Sequence, residues 1–140
     1  MAESAVIQVT DPRSRGHTTG VIRVDWVSSA AGGVSQKIEP LISASLVMLI
    51  TKPGTAGNQP TDLYDLTILD GLSHDVLEGW GANRSNVNTE TVDLLKEDGL
   101  PIGSPTRYYV IHPSVCEAGL TFTIANAGNT KTGTAWIIFK

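Results

Sequence analysis

Turn-forming residues interrupt this chain at Asp11-Pro12, Ala31-Gly-Gly33, Lys52-Pro-Gly54, Asp70-Gly71, Asp98-Gly99 and Ala127-Gly-Asn129, and no stretch between them sustains an apolar period of 3.6. That punctuation leaves room for short strands. The segments Ala5–Thr10, Val21–Ser28, Val34–Ile38, Ser45–Thr51, Leu63–Leu69, Leu72–Leu77, Arg107–Ile111, Leu120–Asn126 and Thr134–Phe139 all fit. Eight or nine short strands in one chain predict an all-β fold, a β-sandwich or jelly roll.

The clearest strand is Val21-Ile-Arg-Val-Asp-Trp-Val27. Its period of two sends Ile22, Val24 and Trp26 to one face and Arg23 and Asp25 to the other. Asp70-Gly71 suits a hairpin turn that needs positive φ. The best helix candidate is Glu90-Thr-Val-Asp-Leu-Leu-Lys-Glu97, capped by Thr89 and stopped by Gly99 and Pro101.

The closing stretch, Gly128-Asn-Thr-Lys-Thr-Gly133-Thr, invites a comparison with a phosphate-binding loop. Such a loop needs Lys directly after its second Gly and a helix behind it. Here Lys131 precedes Gly133, and the β-branched and aromatic run Thr134–Phe139 follows. The expectation is a hairpin joining the alternating strand Leu120–Asn126 to the last strand, which would place the last residues in the core.

With 140 residues, a single domain spanning 1–140 can bury roughly 70% of its unfolded surface, with residues 1–19 read as an extended N-terminal arm. Cys116 is the sole cysteine, so no intrachain disulfide can form. The N-terminus lacks a basic start and a long apolar stretch, and Leu46-Val-Met-Leu-Ile50 is too short to span a bilayer, so no membrane association is expected. A net charge of −4 argues against direct nucleic-acid binding. Nine carboxylates between Asp62 and Asp98 face only Arg84 and Lys96, a local balance of −7 that leaves +3 elsewhere. A solvated acidic face accounts for this; so does a two-sided molecule whose more basic part, with Arg13 and Arg15, meets a partner.

Catalytic patterns fail on spacing. Ser73-His74-Asp75 has the residue types of a triad, but strand neighbours point to opposite faces and cannot converge. His112 and Cys116 flank Pro113 and lack the further ligands of a zinc set, so a loop histidine and a packed thiol are the simpler reading. Asp62, Asp65, Asp70 and Asp75 do not match a calcium loop, and Asn83-Arg-Ser85 matches a glycosylation acceptor at chance level. No enzyme activity, cofactor or metal is therefore expected. Glu78-Gly-Trp-Gly-Ala-Asn-Arg84 differs: Trp80 stands between glycines in a polar stretch, either plugging one end of the sandwich or serving as an aromatic anchor for a partner.

The successions Ile42-Ser-Ala-Ser-Leu-Val-Met-Leu-Ile-Thr-Lys-Pro-Gly54 and Pro60-Thr-Asp-Leu-Tyr-Asp-Leu-Thr-Ile-Leu-Asp-Gly71 resemble small structural proteins of tailed bacteriophages. So do Asp75-Val-Leu-Glu-Gly79, Gly81-Ala-Asn-Arg84 and Leu120–Gly128 before an apolar strand. Over residues 42–139 the chain is similar to the jelly-roll cement, or decoration, proteins of phage heads, of the type carried by a Bordetella phage. The resemblance implies a virion protein assembled in the host cytoplasm and seated on the lattice of major capsid protein, often as a dimer or trimer. It implies no catalytic residues. Loops and arms would make the contacts, which makes Arg13, Arg15, His17, Trp80 and Arg84, with exposed sheet edges, the candidate interface. A tail or baseplate component and a carbohydrate- or receptor-binding module are the competing readings.

Overall fold

The computed structural model describes residues 2–38, 44–94, 110–111 and 119–140. In chain order its strands are β1 (Ser4–Thr10), β2 (Gly20–Val27), β3 (Val34–Ile38), β4 (Ala44–Pro53), β5 (Asp65–Leu69), β6 (Glu90–Asp93), β7 (Val110–Ile111), β8 (Leu120–Ala125) and β9 (Thr132–Phe139). One short 3-10 turn, Pro12–Arg15, joins β1 to β2 and closes on Gly16 at φ 89°.

The strands form two antiparallel sheets. The larger runs β1-β2-β9-β4-β6, with β7 pairing the start of β4, and the smaller runs β3-β8-β5. From β2 to β6 each successive strand changes sheet, and β8 to β9 does so again. The order β2-β9-β4-β6 facing β3-β8-β5 is therefore that of a jelly roll, in agreement with the expected all-β sandwich.

Period-two alternation fills the space between the sheets. Ile22, Val24 and Trp26 from β2, Leu49 from β4, and Ala135, Ile137 and Phe139 from β9 meet Leu66 and Ile68 of β5 and Leu120, Phe122 and Ile124 of β8 in one buried cluster. Each large side chain in it contributes about 1.5–3 kcal/mol by leaving water. Trp26 and Tyr64 bridge the layers with ring centroids 5.5 Å apart. The β2–β9 ladder also pairs Gly20 with Phe139 and Trp26 with Gly133. At both pairs the aromatic ring fills the space where a glycine side chain would begin.

Four expectations change. The stretch after β8 is no hairpin, because β8 pairs with β3 and β5 while β9 pairs with β2 and β4. It is an arch between sheets, turned by left-handed residues Asn126, Gly128 and Thr130 (φ 61°, 85° and 52°). Ala127 N–H donates to the Gly32 carbonyl at 3.0 Å, and the Ala127 carbonyl accepts Thr61 N–H at 2.8 Å, tying the arch to two other loops. The helix expected from Glu90 is replaced over Glu90–Asp93 by β6, where Val92 pairs with Leu49 and packs against the core. The rest of that helix, beyond Leu94, lies outside the described residues, as do positions 107–109 of the seventh expected strand and the Asp98-Gly99 turn.

Leu72–Leu77 forms turns joined to β5 by a single bridge, Leu69 to Asp75. Within the expected extended arm, Ser4–Thr10 is a sheet strand that makes a full ladder with β2. No helix among the described residues is long and apolar enough to cross a membrane.

Candidate partner interface

The five candidate residues fall into two groups on different elements. Arg13, Arg15 and His17 lie on the β1–β2 connection. Arg13 is drawn inward: its guanidinium makes bonds of 2.7 and 2.8 Å to the Asp11 carboxylate and lies 4.8 Å from the Phe139 ring centroid. Arg13's hydrogen bonds hold the Asp11 carboxyl below its ordinary range. Arg15 and His17 are exposed.

Trp80 and Arg84 lie in the segment 75–84, which runs along the outer edge of β5. Val76 N–H donates to the Ile68 carbonyl (2.8 Å), Leu66 N–H to Gly81 (2.9 Å) and Arg84 N–H to Tyr64 (2.7 Å). Trp80 is 47% exposed, so it does not plug the sandwich. Arg84 turns back instead: its guanidinium bonds the Ala82 carbonyl at 3.1 and 3.0 Å and stands 4.0 Å from Glu90, with 12% of the side chain exposed.

Five carboxylates of the acidic run bind backbone amides. Asp75 accepts N–H bonds from Ile68 (3.1 Å), Leu77 (3.1 Å) and Gly79 (2.9 Å). Asp70 accepts those of Leu72 (2.8 Å) and His74 (2.9 Å). Asp62 takes Asn86 N–H (3.2 Å) and Asp65 takes Asn83 N–H (3.0 Å), while Glu90 takes Ser85 N–H. These carboxylates satisfy loop donors that no ladder reaches. The geometry also disposes of the triad pattern, because His74 faces Asp70 at 3.8 Å while both oxygens of Asp75 bind amides. Among the described residues no three His, Cys, Asp or Glu side chains converge as a metal site. His112 and Cys116 lie outside the described residues.

One surface was missed in the sequence reading. The outward face of the larger sheet carries cross-strand rows: Arg23, Trp136 and Ile50 in one, and Val21, Ile138 and Met48 in the next. All but Arg23 are half-buried. The Arg23 guanidinium sits 5.7 Å from the Trp136 ring and binds Asp25 at 3.0 and 3.2 Å, and Thr134 donates to the same carboxylate at 2.8 Å. Partial burial works against ionisation of Asp25, but the bonds from Arg23 and Thr134 hold its carboxyl below the ordinary range. Beside this row a groove of about 650 Å³ opens between Val6 and Asp25 on one side and Lys52 and Thr55 on the other.

The missed signal is in the sequence. Leu46-Val-Met-Leu-Ile50 and Trp136-Ile-Ile-Phe139 are unbroken apolar runs, the pattern of strands covered on both faces, whereas a half-solvated antiparallel strand alternates. No protein family, curated protein or solved structure gives a match to the chain.

Proposed function

We propose that this chain is a structural protein of a bacteriophage virion that binds the outside of the head and cements neighbouring subunits of the major capsid protein. The reading starts from the resemblance over residues 42–139. The observation that carries it is the apolar outward face of β4 and β9, the two strands at the centre of the larger sheet, which no described element covers. A rigid sandwich whose sheet is apolar on both faces is built to be covered by something. The fold adds support by analogy only, since jelly rolls serve both shells and lectins.

The physics of cementing suits such a surface. A protein that binds the assembled shell better than its free subunits stabilises assembly by mass action. A copy touching two capsomers needs only modest affinity at each, although each contact should bury on the order of 800 Å² per partner. Trp136, Ile50 and Ile138 supply the apolar centre of one such contact; Arg15, His17 and Trp80 lie on other elements and would serve a second.

The test is co-sedimentation of purified protein with expanded phage heads that lack it. Saturable binding with a raised rupture temperature supports the reading. Absence of binding at concentrations well above a micromolar affinity contradicts it and favours a tail or glycan-binding role.

A further inference from the structure

The groove beside Trp136 is lined by three charged side chains, Arg23, Asp25 and Lys52. It lies on the outward face of the larger sheet, and its volume of about 650 Å³ is in the range of small-ligand sites. Asp25, Thr134 and Lys52 are consecutive cross-strand partners along one row, and Arg23 and Trp136 are partners in the next. The indole thus has a guanidinium directly opposite it, and a carboxylate and an ammonium group on its diagonals.

Two of these polar groups are fixed before anything binds. Arg23 holds Asp25 with bonds of 3.0 and 3.2 Å, Thr134 donates to the same carboxylate at 2.8 Å, and the guanidinium lies 5.7 Å from the Trp136 ring centroid. A carboxylate has about four acceptor sites and a guanidinium five N–H donors, so the pair keeps capacity both to accept and to donate. Lys52 is exposed, and its ammonium group makes no ion pair or hydrogen bond among the described residues. Since Arg23 and Asp25 cancel, the groove carries the positive charge of Lys52 on a chain whose net charge is −4.

We propose that this groove binds an acidic saccharide, a sugar that bears a carboxylate, such as a uronic or sialic acid. The C–H face of the pyranose ring stacks on Trp136, its hydroxyls donate to Asp25 and accept from Arg23, and its carboxylate meets Lys52. Hydroxyls both donate and accept, which suits a donor and an acceptor held side by side. An apolar occupant would strip water from the Arg23–Asp25 pair and return nothing. An extended peptide would meet a sheet face, where the backbone amides are already committed to ladders, so it could not add as a strand.

Shell binding is not assumed here. Trp136 would serve in both, so a copy seated on a head by this face cannot hold the sugar, whereas a free copy can. Either reading can fail alone, because the sugar is tested on the free protein.

The test is a titration of the isotope-labelled full chain followed by NMR, in salt of about 150 mM to screen weak surface attraction. The resonances to follow are the indole N–H groups of Trp26, Trp80 and Trp136 and the backbone amides of Lys52 and Thr134. The probes are trigalacturonate and sialyllactose, with galactotriose as the neutral control and triglutamate as an acidic peptide. The expected result is a saturable shift of Trp136, Lys52 and Thr134 with at least one acidic sugar, while Trp80 stays still. Its dissociation constant should be on the order of 1 mM or tighter, and about tenfold below that of galactotriose. Trp136→Ala should abolish the shifts. Lys52→Gln, at an exposed side chain, should keep the wild-type melting temperature and bring the acidic sugar to within about twofold of the neutral one. No shift with either acidic sugar up to about 20 mM overturns the proposal. So does binding that survives Trp136→Ala, or that galactotriose equals. Triglutamate binding more tightly than either sugar overturns it as well, and assigns the groove to an acidic polypeptide.

Discussion

Trp26 and Gly133 are direct partners in the β2–β9 ladder, and the indole occupies the space where a side chain on Gly133 would begin. A Cβ there would overlap Cε2 and Cζ2 of the ring and lie 3.0 Å from Nε1. Trp26 is buried and packs on Tyr64 with ring centroids 5.5 Å apart, so a shift of the indole would disturb that contact. Gly133→Ala should cost about 1–3 kcal/mol, the range for overpacking a filled core. Denaturant unfolding checks it; an unchanged midpoint would mean that the indole moves freely.

Tyr64 predicts an alkaline transition. Its hydroxyl is buried near that of Thr51, and neither makes a hydrogen bond of good geometry among the described residues. Burial raises its pKa from the ordinary 10 to about 12. The unfolded chain thus ionises first, and stability that is complete below pH 10 is lost as pH rises toward about 12. The loss should approach about 2–3 kcal/mol at the rate of 1.36 kcal/mol per unit. Tyr64→Phe should remove this component and change stability at pH 7 by less than about 1.5 kcal/mol, the range of a single neutral hydrogen bond. Unfolding curves of the two proteins from pH 8 to 12 give the comparison, and parallel losses would refute the assignment.

Asp75 holds the segment 75–84 against β5 through the Ile68 amide and shapes the segment itself through the amides of Leu77 and Gly79. Asp75→Ala leaves those donors without their acceptor and should cost about 2–4 kcal/mol, since bonds to a charged acceptor are the stronger kind. Hydrogen exchange should show lost protection at Ile68, Leu77 and Gly79 before the rest of the sandwich opens. Uniform exchange across the molecule would contradict a local role.

Arg15 and Arg84 should separate binding from stability. Arg84→Ala removes the contacts to Ala82 and Glu90 and should destabilise by about 1–2 kcal/mol. Arg15→Glu, on an exposed side chain, should leave the unfolding midpoint within about 0.5 kcal/mol and weaken shell binding. Arg13 is a poorer probe, because its substitution also breaks the bond to Asp11 and the contact with Phe139. Unchanged shell occupancy with Arg15→Glu would take that connection out of the interface.

The sequence makes the sandwich legible wherever one local rule decides. Ile22, Val24 and Trp26 alternate with polar residues, as do Leu120, Phe122 and Ile124, and all six are buried. What was not legible depends on partners distant in the chain. Asn126 to Thr130 announce a turn, but the sheet that receives the next strand is settled by long-range ladders. Thr91-Val92 becomes strand because Leu49 waits opposite, against a local pattern that permitted a helix. Arg84 reads as an outward charge until Glu90 and the Ala82 carbonyl are brought beside it. The apolar outer face could have been read from the unbroken run Trp136–Phe139.

That face is also where the account is most exposed to test. Ile50→Lys should fold, because the side chain lies outside the core, on the outward face beside Trp136 and opposite Thr91. Binding of wild type and Ile50→Lys to expanded phage heads lacking the protein should be measured by co-sedimentation, followed by thermal rupture of the loaded heads. The account predicts saturable wild-type binding, a raised rupture temperature, and at least a tenfold loss of affinity in the variant. Heads that bind neither protein, or both equally, would contradict it.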